Sequence, residues 1–238
     1  MIEYKNVSSK VRTEKVFSEV RFLTARYQQK TALEFLDKHL KNDEVFSGYE
    51  KEYYYYKGNL EFLCNRNFDL AMFYLKLGLE EEKIKNDFFH VSIESMLGIL
   101  YYAKNDIDEA NRLIEKSLSS LRSLRKFDDV HFERSMIIYY NSAKFYSGIK
   151  CFVEANNICK EALVIANSNN ISYHLDKIYY ENAFNLAECG KIIGATKNYI
   201  SSLVFCDLKG NKELIDIIQK DVEDFNIDVG SAISFFHS

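Results

Sequence analysis

The sequence predicts an all-α fold, a right-handed superhelical solenoid of about five helical hairpins closed by a C-terminal capping helix. Three observations carry that expectation. Apolar residues recur at helical intervals, as in Ile107, Ala110, Leu113, Ile114, Leu118, Leu121 and Leu124, which share one helix face. No segment of comparable length alternates as a strand would, and the chain contains no proline to interrupt a helix. A code of small and large residues also repeats along the chain at a nearly constant period.

The helices are expected near 12–27, 29–41, 49–64, 68–84, 88–104, 107–124, 129–147, 152–168, 171–189, 192–208 and 212–224. The breaks between them are short and polar, such as Asn65-Arg66-Asn67 and Asn105-Asp106, which implies antiparallel neighbours. Asp106 followed by Glu109 reads as a helix start of the capping-box kind. Paired, the helices give hairpins at about 12–41, 49–84, 88–124, 129–168 and 171–208. They form one repeat domain, 11–238, after a linker or disordered stretch over 1–10.

The repeat is clearest in Leu97-Gly98, Tyr101, Ala110, Ile114 and Ser117-Leu118. Further copies run through Gly58, Ala71, Leu75 and Gly78-Leu79; through Ala143, Tyr146, Ala155, Cys159 and Ala162-Leu163; and through Ala183, Leu186, Ala195, Tyr199 and Ser202-Leu203. A weaker copy is centred on Ala32 and Leu36. Gly or Ala at a helix crossing lets two backbones approach, while large residues fill the adjoining grooves. This signature resembles the tetratricopeptide repeat without its consensus Trp and terminal Pro. The second-helix alanines fall at 32, 71, 110, 155 and 195, giving periods of 39, 39, 45 and 40, longer than the usual ~34. Residues 212–238 do not repeat but are apolar at Ile215, Ile217, Ile218, Val222, Phe225, Ile227, Ile233, Phe235 and Phe236, as a cap over the last hydrophobic face should be. A dimer seam is the other use for that surface.

Composition excludes several functions. The 238 residues are 47% hydrophobic and 28% charged with a net charge of −4, which suits a folded chain and not a nucleic-acid-binding surface. No apolar run approaches the ~18 residues of a membrane span, and Met1–Lys10 lacks a secretory core, so the expected location is cytoplasmic. Five cysteines and five histidines show no metal-ligand spacing, so the cysteines are expected as buried thiols and neither metal nor cofactor is expected. Nor is there a G-x-S-x-G, P-loop or H-E-x-x-H pattern, so an enzyme is not expected.

The long period and aromatic first helices narrow the resemblance. Tyr139-Tyr140-Asn141-Ser142-Ala143-Lys144, Glu154-Ala155 through Glu161-Ala162-Leu163, and Tyr179-Tyr180-Glu181-Asn182-Ala183 resemble the C-terminal sensor domain of the peptide-pheromone regulators, the group of Rap, PlcR, PrgX and Rgg, and most of all PlcR. The resemblance spans residues 12 to about 224. It implies a peptide-binding quorum-sensing regulator: a short signalling peptide lies in the concave groove, and a homodimer passes the signal to DNA. DNA contact would come only through a helix-turn-helix domain, which nothing in Met1–Lys10 supplies. Either the chain begins after such a domain or it is a free-standing relative. Rap-like proteins add an N-terminal helical bundle for which the chain has no room.

In this architecture the first helix of each hairpin lines the concave face, and residues three, four and seven apart share a stripe. The stripe holds Tyr55, Asn59 and Phe62; Ser95, Ile99 and Tyr102; Tyr140, Asn141 and Lys144; and Tyr180, Glu181 and Phe184. Asn59 and Asn141 can meet a peptide backbone with a donor and an acceptor together. The aromatic rings offer pockets for apolar side chains, although rings at helical spacing also serve inter-repeat packing. Lys144 can pair with a carboxylate such as the C-terminus of a peptide. A scaffold that docks a protein partner is the alternative from another class.

Overall fold

The computed structural model describes residues 2–81, 87–124 and 129–230. Among these are eleven α-helices and no strand: α1 (Ile2–Ala25), α2 (Gln29–His39), α3 (Glu50–Asn65), α4 (Phe68–Glu80), α5 (Phe88–Ala103), α6 (Ile107–Ser123), α7 (Asp129–Gly148), α8 (Phe152–Ser168), α9 (Leu175–Glu188), α10 (Ile192–Lys209) and α11 (Lys212–Asp224). The chain divides into two compact units, 1–124 and 125–238, where the sequence suggested one domain from residue 11. In the first unit α1 pairs with α2, α3 with α4 and α5 with α6; in the second α7 pairs with α8, α9 with α10, and α11 follows.

One local device builds every hairpin. One or two residues past the end of each first helix the chain takes a left-handed conformation: Tyr27, Arg66, Asn105, Lys150 and Gly190, spaced 39, 39, 45 and 40 residues apart. The next amide then bonds back to a carbonyl five residues earlier, Gln28 to Leu23 at 3.0 Å, Asn67 to Glu61 (six earlier) at 3.4 Å, Asp106 to Tyr101 at 2.9 Å, Cys151 to Tyr146 at 2.8 Å and Lys191 to Leu186 at 2.8 Å. These turns satisfy orphan carbonyls and stop the helix. Each lies five residues before the repeat alanine, so turn and crossing keep a fixed register. Side-chain caps help the next helix start: Asn67 accepts from the Leu70 amide at 3.1 Å, Asp106 from Glu109 at 3.3 Å and Asn211 from Leu214 at 3.4 Å.

The small residues are required where helices cross. A Cβ at Gly58 would stand 2.6 Å from Leu75 Cγ and 3.0 Å from the Ala71 carbonyl, and one at Gly98 2.8 Å from Ile114. Ala32, Ala71, Ala110, Ala155 and Ala195 are all fully buried, as are Leu36, Leu75, Ile114 and Tyr199. In the second unit Leu214, Ile215, Ile218 and Val222 of α11, with Ile227 and Val229, close the core of α9 and α10. Of the apolar cap residues expected within 212–230, Ile215, Ile218, Val222 and Ile227 are buried in this core and Phe225 packs against it, whereas Ile217 is exposed on the outer face of α11; Ile233, Phe235 and Phe236 lie outside the described residues.

Three expectations change. α1 begins at Ile2, so the stretch 1–10 expected as linker is helical over its described part. The helix expected from 171 begins at Leu175, because Asn170 adopts a left-handed turn that seats buried Ile171 against the end of α8, with its amide 2.9 Å from the Ala166 carbonyl. The cysteines are not uniformly buried: Cys159 and Cys206 are, Cys64 and Cys189 are half-buried, and Cys151, at the start of α8, is exposed. Among the described residues no helix is long and apolar enough to cross a membrane, and no His, Cys, Asp and Glu cluster could hold a metal ion.

Candidate functional site

The stripe expected along the first helices has a different character in each unit. In the first unit it is mostly core. Tyr55, Phe62 and Ser95 are buried, while Asn59, Ile99 and Tyr102 are half-buried. Tyr55 packs edge-on against Tyr56 at 5.5 Å and tilted against Phe89 at 5.8 Å, and Phe62 meets Phe68 edge-on at 5.3 Å. These rings fill space between successive hairpins and present little surface to a ligand. Beneath them Lys57 lies buried between Asp37 and Glu61, and Glu52 takes Arg21 at 2.7 Å. These pairs tie the hairpins together. A polar, open depression in this unit is lined by Tyr27, Lys30, Glu34, Asp37 and Cys64 at the α1–α2 turn, and none of the stripe residues lines it.

In the second unit the stripe carries polar chemistry. Tyr140 and Lys144 lie one turn apart on α7, and the Lys144 ammonium donates to the Tyr140 hydroxyl at 3.4 Å while standing 5.6 Å from its ring centre. Lys177, on α9, approaches the same ring to 5.5 Å, and His174 meets it edge-on at 6.0 Å. Lys144 is exposed, Tyr140 half-buried and Asn141 buried. On α9, Tyr180 and Phe184 are half-buried, with Phe184 edge-on to Phe225 at 5.7 Å. Glu181 is buried beside Tyr180.

Burial sets the protonation states of this patch. The Glu181 carboxyl is pushed from 4.5 up to about 7, chiefly by desolvation and also by Asp221, against the opposing pull of Lys144 and the Ser147 hydroxyl. Asp221, on α11, faces the hydroxyls of Tyr180 and Tyr199, and burial raises its carboxyl too. Burial pushes the Tyr140 phenol well above 10, so it keeps its proton. His174 is driven well below 6.5 by burial and then by the charge of Lys177, and stays neutral. A second buried polar layer lies alongside: Asn182 donates to Asn198 at 2.9 Å and Asn185 to the Glu181 carbonyl at 2.5 Å, leaving both amide oxygens without a protein partner.

The structure therefore brings Tyr140, Lys144, Tyr180, Glu181 and Phe184 onto one face of the second unit, with Asn141 buried in α7. It also supplies residues the sequence argument passed over. Lys177 lies three residues before Tyr180, and extending the stripe by one step would have found it. Asp221 belongs to α11, whose lack of repetition gave no sign that it would face Tyr180.

No protein-family profile matches the sequence, and no curated protein matches it. Solved structures do share its fold. Bacillus thuringiensis PlcR in complex with the peptide PapR7 and DNA superposes with a TM-score of 0.72 at 17% identity, covering 89% of this chain and 74% of PlcR. Its apo form gives 0.72 at 18% identity, covering 93% and 81%. Aspartyl phosphate phosphatase F from Bacillus subtilis gives 0.62 at 14% identity, covering 98% of this chain and 60% of that one. The chain thus has the tetratricopeptide-type solenoid fold of the Rap and PlcR proteins, on structure and not on sequence identity.

Proposed function

We propose that the chain is the peptide-binding sensor part of a PlcR-like quorum-sensing transcriptional regulator, and that a short signalling peptide lies against α7 and α9 of the second unit. The observation that carries this reading is the polar and aromatic face of Tyr140, Lys144, Lys177, Tyr180 and Phe184, on a fold shared with a protein solved with a bound peptide. A peptide in extended form offers apolar side chains and unpaired amides. Half-buried rings accept the former with few torsions to freeze, and amide and charged side chains meet the latter. A cytoplasmic address, a homodimer and an effect on DNA through a helix-turn-helix domain outside this chain complete the proposal.

The test is calorimetric titration with short hydrophobic peptides recovered from culture medium of the producing cells. Saturable heat, abolished by Tyr140→Ala in a variant with an unchanged circular dichroism spectrum, is the expected result. Absence of heat and of any thermal shift across the recovered peptides overturns it.

A scaffold role has one observation in its favour: α10 exposes Ile193, Ile200, Val204 and Leu208 along one face. A scaffold would recover a stoichiometric protein partner without added peptide.

A further inference from the structure

Resting on the homodimer of the reading above, and independently of its peptide, we propose that the exposed face of α10 is a seam on which a second copy of this chain packs antiparallel, joined by two symmetric Lys197–Asp207 ion pairs. Ile193, Lys197, Ile200, Val204, Asp207 and Leu208 fall within an arc of about 100° on this helix. All six are exposed, Ile193 at 90% and Leu208 at 73%. Single apolar residues on a surface are ordinary, whereas four aliphatic residues in one row over about four turns mark a surface that another one covers.

The register of the repeat makes this row an exception within the chain. Ile193, Ile200 and Val204 stand two before, five after and nine after the repeat alanine. The exposed residues at those positions are Asp69, Lys76 and Glu80 in α4, and Asp108, Glu115 and Ser119 in α6. The backbone turns the same positions to solvent each time, so nothing in the hairpin itself calls for aliphatic side chains there. In the same unit α8 makes half of the change: Val153 and Val164 are 66% and 65% exposed, and Lys160 between them keeps its charge.

Self-complementarity identifies the occupant. A two-fold axis at the level of residue 202 sets Ile200 of each α10 opposite Val204 of the other, and Lys197 of each opposite Asp207 of the other. Leu208 then comes within one turn of Ile193 of the second copy. An isologous interface requires a patch that answers itself in this way. Among the described residues neither Lys197 nor Asp207 has an ion-pair partner in its own unit. A helix of unrelated sequence would have to bring both charges in the right order, and a second copy brings them by symmetry.

Sedimentation velocity of the whole chain over a range of concentrations tests the seam. The expected species is a dimer that Val204→Glu weakens by at least about a hundredfold, since each copy would then bury a carboxylate against Ile200. Its circular dichroism spectrum should not change, because Val204 is exposed in the single chain. Lys197→Glu and Asp207→Lys should each weaken self-association by about tenfold, because like charges then face each other twice. An equimolar mixture of these two variants should recover the parental dimer, both pairs being restored in the mixed species. A dimer indifferent to Val204→Glu, or charge variants without effect or without mutual rescue, overturns this seam and leaves the homodimer standing. A chain that stays monomeric, alone or with another protein held on this face, overturns both.

Discussion

The two units use one backbone pattern for different ends. In the first, α3 carries four consecutive tyrosines, Tyr53 to Tyr56, all buried, and the facing helix α5 answers with Phe89 against Tyr55. In the second, Tyr140 of α7 is answered from the α9 side by His174 and Lys177. The residue offered by the next hairpin decides whether a stripe tyrosine becomes core or stays available. Tetratricopeptide-type repeats share a steric code at their crossings, and their stripe is left free to carry either stability or recognition.

The comparison breaks most readily at Tyr55. Tyr55→Ala should cost about 3–5 kcal/mol of stability in the first unit, as for other buried aromatic truncations, measured by urea denaturation. A loss below about 1 kcal/mol would return Tyr55 to the candidate ligand residues.

Glu181→Gln is next. A carboxyl held at about 7 in the fold but near 4.5 unfolded favours the protonated native state, so its favourable contribution is complete below pH 4.5 and lost as pH rises through 7. The variant should therefore be more stable than the parent at pH 8, by on the order of 3 kcal/mol, with the two converging near pH 4. Thermal midpoints across that range decide it, and a pH-independent difference would contradict the assignment.

Gly58→Ala should cost about 1–3 kcal/mol, because the added methyl meets the Ala71 carbonyl as well as Leu75. The smallest effect is expected for Tyr140→Phe, which removes the hydroxyl that accepts from Lys144. Stability should move by less than about 1 kcal/mol while peptide affinity falls severalfold. A large loss of stability there would make Tyr140 a core residue like Tyr55.

The crossings were legible in the sequence because sterics leaves few choices: Gly58, Gly98 and the five alanines recur where backbones touch, and the pairing of α1 to α10 into hairpins follows from that register. The left-handed turns at Tyr27, Arg66 and Lys150 were not, since these residue types carry no turn signal and are held positive by the repeated backbone bonds around them. The stripe was legible as a set of positions and not as an environment. Nothing in the spacing of Tyr55 and Tyr140 distinguishes them; Phe89 and Lys177, 34 and 37 residues further on, do. The raised proton affinity of Glu181 was equally invisible, since part of it comes from Asp221 on α11, which lies outside the repeat.

The most direct test of the account is photo-crosslinking with a short hydrophobic peptide that binds the protein and carries a photoreactive phenylalanine. Adducts mapped by mass spectrometry should fall on residues 140–147 and 177–184 of the second unit. Adducts confined to 52–62 of the first unit, or to the exposed face of α10 over 200–208, would contradict it.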